Sequence, residues 1–522
     1  MININTTVFK FITLIISLHV LSGIINNVSF KLPSSSHKEN SSKPNVILIA
    51  IDDLNDWVGV YGGNPQIKTP NIDRFAEKAV VFRNASCPGP VCGPSRSALL
   101  SGFMPSTTGI YSNSQNMLDS ELIQQNATLP EYFSKNGYLT ISKGKIFHKH
   151  TTKNGMDHGQ WAFDIWEQEM GSGGIMQEKL FSRNKGIFNG KINPNAKFKD
   201  KRGSEFAWAP TRQGIEKTKD YLTAKWFADK LDDDYTKPFF MAVGLSKPHL
   251  PWYVPKEFFE MYKLDTLDIP EYRLDDYDDI LDKNGEKVFE PSADFKWVLQ
   301  DEELFKRAVR AYMASSSYAD HCAGIVLDAL EKSKYAENTI VILFGDHGWH
   351  LGEKLRFRKA ALWRESTQLP LIIRLPGMKQ RQFCNRNVNL IDLFPTLIDL
   401  CDLPEKNNLD GRSIKPLLKD VDLDWYPALT CSGQGSQSVI TEDWHYINYG
   451  NGVEELYNLK DDPMEWINLA NSDSKENLRI KNHMKSYMSE NDAGPVPKSV
   501  KDKSMKQTDQ TIKLKRKLEH LK

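Results

Sequence analysis

The sequence predicts an α/β protein, with a large, mostly parallel sheet flanked by helices and a smaller antiparallel α+β subdomain at the C-terminus. Four apolar, β-branched runs are typical of strands buried on both faces. They are NVILIAI from Asn45, PFFMAVGL from Pro238, TIVILFG from Thr339 and PLIIRLP from Pro370. After about Cys401 the hydrophobicity alternates over short segments, such as SVITEDWHYINYG and EELYNLKDDPMEWINLA, which favours a small antiparallel sheet packed with a helix.

Helical patterns separate these runs. They begin at Ala76 (AEKAVVF), Leu129 (LPEYFSKNG) and Leu304 (LFKRAVRAYMASSSYADHCAGIVLDALEKS). Alternation of strands with helices indicates a parallel sheet, in which ligands lie beyond the carboxyl ends of the strands. Two predicted strands end in the polar sequences DD and GDH, and a third runs into SKPH. We therefore expect the chemistry at that edge.

Composition excludes several classes of protein. With 40% hydrophobic and 26% charged residues among 522, the chain is typical of an ordinary globular protein, which argues against disorder and against a membrane bundle. Basic and acidic residues each total 67, so the net charge is zero and nothing draws the whole protein to nucleic acid or anionic lipid. Any anion site has to be built locally.

The N-terminus is typical of a secretory signal peptide, which we place at residues 1–29. Lys10 precedes an apolar run over 11–25 that polar residues interrupt, and the run is too short and too polar for a comfortable membrane span. The cleavage site is not defined, and a retained anchor is the alternative. We expect a secreted or periplasmic protein with no stable membrane insertion.

The remaining organisation follows from shifts in composition. Residues 30–44 read as a polar linker, 45–405 as the catalytic domain, 406–490 as the C-terminal subdomain and 491–522 as a basic tail. The lysine-rich tail favours a solvated helix over a specific polyanion-binding arm.

Cysteine usage is low for a secreted chain of this size. The fold must therefore rest on its hydrophobic core, although one or two disulfides remain possible, and no CxxC pair or Cys/His ladder indicates structural zinc. The six cysteines are Cys87, Cys92, Cys322, Cys384, Cys401 and Cys431.

The segment CGPSRSALLSG places the thiol of Cys92 where a loop enters a helix. Backbone amides and the helix dipole favour an anion at such a point. For an isolated cysteine, a structural role at a buried helix start would be the usual interpretation. Here the complete motif argues against it.

The motif resembles the type I sulfatase signature, Cys-x-Pro-Ser-Arg-x-x-x-Leu-[Thr/Ser]-Gly. Its defining positions are matched by Cys92, Pro94, Ser95, Arg96, Leu100, Ser101 and Gly102. The resemblance implies the alkaline-phosphatase/sulfatase-like fold and sulfuric ester hydrolase activity. It also implies a maturation enzyme that oxidises Cys92 to formylglycine (3-oxoalanine). One hydroxyl of the hydrated aldehyde would attack sulfur, and the second would expel sulfate and regenerate the aldehyde.

A divalent cation is the expected partner of the nucleophile. Asp52 and Asp53 close one predicted strand and Asp346 with His347 closes another, so two strand ends offer ligands to one point. An isolated DD pair would more often be a solvated turn. The resemblance implies one calcium ion bound by these four residues and by the modified Cys92. Imidazole is an uncommon ligand for a hard cation, which sets His347 apart from the three aspartates.

The resemblance assigns roles to five further residues. Lys145 and His148, in GKIFH, would hold formylglycine, with His148 as the base that regenerates the aldehyde. His249, in SKPH, would protonate the leaving alcohol and contact the substrate. Lys145 and Lys359 would bind sulfate, and Arg96 would fix the nucleophile and the charge beside the metal. Taken singly, these histidines would more often be structural and the lysines surface residues. Basic neighbours also leave the register at Lys359 open.

Aromatic and basic residues lie beside the metal motifs. Trp57, Trp349 and His350 stand on loops predicted to line the mouth of the site, where they would either pack or stack on a sugar ring. Arg356 or Arg358 would then bind a uronate or a second sulfate.

The tracts DHGWHLGEK, SKPHLPWYVP and NLIDLFPTLIDL resemble the iduronate-2-sulfatase-like branch of the family. We therefore expect a sulfated carbohydrate as substrate, with algal polymers such as ulvan or carrageenan ahead of glycosaminoglycans. Two alternatives stay open. One is a phosphoester or phosphonate hydrolase of the same superfold. The other is a non-catalytic carbohydrate-binding relative, which would be expected to lose Cys92, His148 or His249.

Overall fold

The computed structural model describes residues 43–148, 162–167, 206–211 and 214–497, and the backbone of residues 181–182. The predicted signal peptide, nearly all of the predicted linker and most of the basic tail lie outside these residues. The strands are β1 Asn45–Ile51, β2 Val80–Ser86, β3 Leu139–Gly144, β4 Ile165–Glu167, β5 Phe181–Ser182, β6 Ala207–Thr211, β7 Phe239–Leu245, β8 Trp252–Pro255, β9 Thr339–Gly345, β10 His350–Leu351, β11 Phe357–Arg358, β12 Gln368–Arg374, β13 Gln382–Asn389, β14 Ala428–Gly433, β15 Ser436–Ile440, β16 Trp444–Asn448 and β17 Glu454–Asn458.

Helices separate most of these strands. The α-helices are α1 Pro70–Ala76, α2 Cys92–Ser101, α3 Pro105–Thr108, α4 Glu121–Gln124, α5 Leu129–Lys135, α6 Lys219–Lys230, α7 Lys256–Glu260, α8 Ala293–Val298, α9 Glu302–Lys332, α10 Arg364–Thr367, α11 Leu393–Leu400, α12 Lys415–Lys419 and α13 Lys475–Lys485. Short 3₁₀ turns occupy Met117–Asp119, Ile215–Lys217, Leu264–Thr266, Ala336–Asn338, Glu353–Leu355 and Leu390–Asp392.

The central sheet has eight strands in the order β13-β2-β12-β9-β1-β7-β3-β4. β12 runs antiparallel to both of its neighbours, and the other neighbouring pairs are parallel. β1, β7 and β9 are buried along their whole length, as their uninterrupted apolar sequences predict. The predicted fold class, a large mixed and mostly parallel sheet, is confirmed.

The C-terminal region is a second, four-stranded antiparallel sheet in the order β14-β15-β16-β17. Helix α13 packs on it through Met484, which lies in a small core with Val439 and Leu456. This part of the fold was also predicted from the alternating hydrophobicity. Buried contacts join the two regions. The indole Nε1 of Trp363 donates to Glu455 Oε2 at 2.8 Å, and the backbone N–H of Arg364 donates to Glu465 Oε2 at 3.0 Å.

One predicted helix is wrong. The pattern from Ala76 was expected to be helical, but α1 ends at Ala76 and residues 80–82 begin β2. Val80, Val81 and Phe82 are fully buried in the central sheet, between β12 and β13. β-branched residues lose rotamer freedom in a helix and pack well in a sheet, and here tertiary burial decides the outcome.

All six cysteines lie in the described part of the chain, and each is buried with a free thiol. Within these residues the fold therefore rests on its core. Among the same residues, none of the helices is both long enough and apolar enough to cross a bilayer.

Candidate active site

Four neighbouring parallel strands deliver polar residues to one edge of the central sheet. In the order β9, β1, β7 and β3, their last residues lie side by side, because Ile51 is in register with both Gly345 and Leu245, and Gly144 is in register with Gly244. The residues that follow these strand ends are the predicted site residues Asp346 and His347, Asp52 and Asp53, His249, and Lys145 and His148. Parallel topology alone therefore brings these distant segments together.

Two glycines permit the close approach of the β3 and β7 ends. A Cβ on Gly244 would collide with the backbone of Lys145, and one on Gly144 would collide with the carbonyl oxygen of Gly244. Gly144 also has a φ of 82°, which favours glycine. The backbone N–H of Lys145 donates to Gly244 O at 3.2 Å. These contacts fix the start of the loop that carries Lys145.

Cys92 is the first residue of α2 and is fully buried. Its Sγ lies 3.1 Å from Lys359 Nζ, 3.3 Å from His347 Nε2 and 3.9 Å from Asp53 Oδ1. The next backbone N–H, that of Gly93, donates to Asn113 Oδ1 at 2.7 Å. The thiol therefore sits at a helix N-terminus, as predicted, and faces both carboxylates and cations.

Arg96 joins the two halves of the acidic cluster from the second turn of α2. Its Nε donates to Asp346 Oδ2 at 2.7 Å and its Nη2 to Asp52 Oδ1 at 3.2 Å. Its Nη1 donates to the carbonyls of Lys145 and Ile146. All three charged side chains are 2% exposed or less. The guanidinium fork holds both carboxylates at fixed positions in a place where neither charge would be tolerated alone.

Two lysines complete the charge balance. Lys145 Nζ pairs with Asp52 Oδ2, and Lys359 Nζ pairs with Asp53 Oδ1. Burial raises the pKa of Asp52, but Lys145 and further cations outweigh it and hold that pKa well below its usual range. Burial and Asp52 raise the pKa of the Cys92 thiol, yet Lys145 and Lys359 lower it by more. The cluster therefore favours an anion at position 92.

His347 presents Nε2 to the carboxylates. Its Nδ1 lies 3.0 Å from Gly348 O, which assigns the Nδ1 proton to that hydrogen bond. Nε2 then faces Asp53 Oδ1 and Asp346 Oδ1, each at 3.4 Å. Burial lowers the pKa of His347, but Asp346 more than compensates and the net value rises to about 9. His347 is therefore in its charged imidazolium form at neutral pH, unless a bound cation takes the place of the proton on Nε2.

The donor set suits a hard divalent cation. Ligand atoms of Asp52, Cys92, Asp346 and His347 all lie within 4.8 Å of one another, and so do those of Asp52, Asp53, Cys92 and His249. Oδ2 of Asp53 is buried and accepts no hydrogen bond from any residue that the structure describes. Asp53 also has a φ of 64°, a strained conformation for a non-glycine residue of the kind found at functional sites. Three convergent carboxylates with an unsatisfied oxygen fit a calcium-like ion.

The two remaining histidines lie on the more open side. His249 Nε2 is 3.9 Å from Asp53 Oδ2, and 35% of the His249 side chain is exposed. Its Nδ1 lies 2.6 Å from Leu250 O, which places the proton there and turns Nε2 toward the cluster. Desolvation lowers the pKa of His249 despite this exposure. His148 is partly exposed and lies three residues beyond Lys145, at the end of the described segment.

Comparison with known protein families decides the assignment. The sulfatase family model matches residues 44–403, which span every residue of this cluster. The chain belongs to the sulfatase family. A second model, for the C-terminal part of N-sulphoglucosamine sulphohydrolase, matches residues 345–493. The protein is thus a sulfuric ester hydrolase, as predicted from the motif at Cys92.

Relatives cover most of the chain. A sulfatase of Formosa agariphila is 35% identical over 438 residues, covering 82% of this chain and 83% of the relative. Iduronate 2-sulfatase of Mus musculus is 31% identical over 398 residues, 69% of each chain. An ulvan-active sulfatase of F. agariphila is 28% identical over 432 residues, covering 81% and 73%.

The sulfatase fold is also found among solved structures. One, of a protein in complex with its substrate D-glucosamine-2-N,6-O-disulfate, has a TM-score of 0.62 and 21% identity. The match covers 85% of this chain and 98% of the other. At this identity the likeness concerns the fold alone.

The sequence leaves two roles open for Trp57, Trp349 and His350 beside this sulfatase site, packing in the core or stacking on a sugar ring. Trp57, Trp349 and His350 are at most 4% exposed. Trp57 and Trp349 both pack on the ring of Tyr312. Of the two alternatives considered, the structure favours packing, because buried rings offer no face to a sugar. Trp349 still has a part in the site, since Lys359 Nζ lies 5.1 Å from its ring centroid.

The two arginines predicted to bind an acidic substituent are held by protein groups. Arg358 Nε donates to Asp294 Oδ2 at 2.5 Å. Arg356 lies over the ring of Trp363, with its guanidinium carbon 5.5 Å from the centroid.

Two supporting residues escaped the sequence analysis. Asn113 accepts from the amide that follows Cys92, and the hydroxyl of Tyr312 donates to the carbonyl oxygen of Asp53 at 2.8 Å. Asn113 lies in a loop and Tyr312 lies on the buried face of the long amphipathic helix α9, so neither carries a local signal. Only the three-dimensional contact reveals them.

Proposed function

We propose that this sulfatase is a formylglycine-dependent, calcium-binding enzyme of the iduronate-2-sulfatase-like branch that hydrolyses sulfate monoesters on a sulfated carbohydrate. One observation carries the proposal. The Sγ atom of Cys92 is buried at the N-terminus of α2, within reach of three carboxylates, with a lysine ammonium 3.1 Å away. A structural cysteine has no need of such surroundings.

Oxidation of Cys92 to formylglycine would supply a hydrated aldehyde, with one hydroxyl for attack on sulfur and another for expulsion of the sulfate. The surrounding residues are suited to hold a charged oxygen at this position. Lys359 Nζ is 3.1 Å from the present sulfur atom. Its ammonium group would orient the nucleophile and stabilise its deprotonated form.

Calcium would supply fixed positive charge for the nucleophile and for a sulfate oxygen. We propose Asp52, Asp53 and Asp346 as its carboxylate ligands and the Nε2 of His347 as a fourth. The hydrogen bond from Nδ1 to Gly348 O supports this role, because it leaves Nε2 as the atom that would face a cation. Arg96 would keep two of the carboxylates in place as the cation binds.

Lys145 and Lys359 would bind the sulfate group. In the structure their ammonium groups pair with Asp52 and Asp53, so each lies at the carboxylates that are proposed to hold the ion. Burial strengthens the attraction between these ammonium groups and the sulfate oxygens, because charges interact more strongly in a site from which water is excluded. Their role would be to neutralise the sulfuryl oxygens throughout the reaction.

His249 would donate a proton to the leaving alcohol oxygen from Nε2. The carbonyl of Leu250 fixes Nδ1 and therefore determines which nitrogen faces the substrate. Without substrate the imidazole is neutral at pH 7, since desolvation lowers its pKa. A bound sulfate monoester would raise that pKa through its negative charge. We propose His148, on the loop after β3, as the base that acts on the modified residue.

The substrate class is proposed from the relatives. One is named for its action on iduronate 2-sulfate and another for its activity on ulvan, and both are sulfated sugars or sugar polymers. We therefore propose a polysaccharide or its oligosaccharides, such as ulvan, carrageenan or a glycosaminoglycan, as substrate. Secretion or periplasmic export by the N-terminal segment is part of the same proposal.

The test is sulfate release from a panel of desulfation substrates. The mature enzyme would be incubated with oligosaccharides of ulvan, carrageenan and heparan sulfate, and with matched phosphate monoesters. Release of sulfate from one sugar class, well above any release of phosphate, is expected. Faster turnover of the phosphate esters would overturn the proposal in favour of a phosphoester hydrolase. Binding without release from any member would indicate a carbohydrate-binding relative.

A further inference from the structure

We infer that Asp220 is a positioning residue that holds the loop carrying His249, so that the Nε2 of His249 points at the leaving group. The inference rests on the proposed role of His249 as the proton donor. It starts from a buried carboxylate on another element, outside the cluster described above.

Asp220 lies in the first turn of α6 and is only 2% exposed. Its Oδ1 accepts the backbone N–H of Ser246 at 2.9 Å, and its Oδ2 accepts that of Lys247 at 2.8 Å. These are the first two residues after β7. An acidic residue in a first helical turn often serves only the helix dipole. Here each carboxylate oxygen instead binds an amide of a different segment.

The two captured amides begin the turn that presents His249. The backbone N–H of His249 donates to Ser246 O at 3.0 Å and closes the turn. Beyond it, Lys247 Nζ donates to the carbonyl oxygens of His249 and Pro251. The indole of Trp252 donates to Pro248 O at 2.7 Å. The loop is therefore tied at both ends, with Asp220 as its anchor on the side of β7.

The start of α6, which carries Asp220, is itself held by hydrogen bonds to helix α9. Tyr318, in the long helix α9, donates its hydroxyl to Thr218 Oγ1 at 2.6 Å, and the hydroxyl oxygen of Tyr318 accepts the backbone N–H of Tyr221 at 3.1 Å. The start of α6 is thus fixed to α9 on either side of Asp220. A side chain held by its own neighbours transmits its position to what it binds.

An isosteric substitution removes one hydrogen bond of the Asp220 carboxylate without changing the volume of the side chain. Asp220→Asn keeps the shape, but its Nδ2 would oppose the N–H of Ser246 or Lys247, so two donors would meet and one amide would lose its acceptor. The turn would shift, and Nε2 of His249 would no longer point at the leaving oxygen. Since general acid catalysis contributes about 10²- to 10⁴-fold, a partial loss of alignment is expected to lower kcat/KM by about 10- to 100-fold on substrates with poor leaving groups.

The experiment measures kcat/KM of the mature enzyme on a series of aryl sulfates with graded phenol acidity. We expect Asp220→Asn to lose most on the least acidic phenols and little on the most acidic, in the same sense as His249→Ala and to a smaller degree. Asp229→Asn is the matched control, because Asp229 lies on the same helix, is exposed and pairs only with Lys225 among the described residues. It should match the wild type.

The outcomes are distinguishable. If His249→Ala steepens the leaving-group dependence and Asp220→Asn lowers all rates uniformly or not at all, the positioning role is overturned while the proposed function stands. If His249→Ala leaves the dependence unchanged, the proton-donor role and the inference fail together. Should Asp220→Asn fail to fold, Lys247→Met is tested in its place. This variant removes the two hydrogen bonds from Lys247 Nζ to carbonyl oxygens of the same loop. We expect the same dependence of kcat/KM on the acidity of the phenol.

Discussion

The two sides of the active site differ in their contact with solvent. On the side of Cys92, the carboxylates, Arg96 and His347 are 2% exposed or less, and each is fixed by several partners. On the other side, 35% of the His249 side chain is exposed. In the proposed reaction, the sulfate group, which is the same in every substrate, would bind at the rigid, buried side. The alcohol part, which differs between substrates, would bind at the open side.

The largest expected effect is the loss of the nucleophile. Cys92→Ala should abolish sulfate release while the protein stays folded, because the remaining residues would bind sulfate but would supply no attacking group. Cys401→Ala is the control, since Cys401 is buried in a hydrophobic cluster with Leu397 and Leu403 and is not one of the site residues. Activity assays and circular dichroism check both variants. Appreciable turnover by Cys92→Ala would mean that another group attacks sulfur.

The buried side should depend strongly on Arg96 for its stability. Arg96→Met leaves Asp52 and Asp346 without their shared partner, so we expect the free energy of unfolding of the cation-free protein to fall by about 3–5 kcal/mol. Arg74→Met removes an exposed pair with Asp328 and should cost about 1 kcal/mol or less. Urea unfolding measures both. If the two variants lose the same free energy of unfolding, the buried ion pairs of Arg96 stabilise the protein no more than an exposed pair does.

Cation binding on the buried side should depend on pH. His347 has a pKa raised to about 9 in the cation-free protein, and an incoming ion has to displace that proton. Calcium affinity should therefore rise with pH by up to about tenfold per unit below pH 9 and then level off. Calorimetric titration between pH 6 and pH 9 tests this. The variant His347→Gln should show a flatter profile, and a profile as steep as that of the wild type would exclude His347 as the titrating group.

A smaller effect is expected where the two sides meet. Trp349→Phe weakens the ring under Lys359 Nζ, so KM for a sulfate ester should rise by about two- to fivefold with little change in kcat. Trp57→Phe is the matched control, because Trp57 packs on the same residue, Tyr312, and no lysine lies over its ring among the described side chains. If both variants change KM equally, the effect comes from packing alone.

Most of the fold and the core of the site could be predicted from the sequence, because the signals are local. A buried strand followed by charged residues marks the carboxyl edge of the sheet, as at Asp52 and Asp346. The motif at Cys92 fixed the start of α2. What failed depended on contacts between distant segments. The local pattern at Val80 predicts a helix, but the structure has a strand there, because its place between β12 and β13 is set by the whole sheet.

The same limit applies to the supporting residues. Trp349 stands two positions after His347, and nothing in that spacing tells whether its ring faces substrate or core. Asp220 lies in an unremarkable helix start, and its role depends on amides 26 and 27 positions away in the chain. Residues that bind ligands could be recognised by their motifs. Those that hold them in place required the structure.

We propose that this buried cluster surrounds a modified nucleophile. The most direct test is mass spectrometry of the peptide containing Cys92, from protein produced together with a formylglycine-generating enzyme. We expect a peptide lighter by the difference between cysteine and 3-oxoalanine, and a reactive aldehyde at that position. An unmodified thiol in a preparation that releases sulfate at full rate would contradict it.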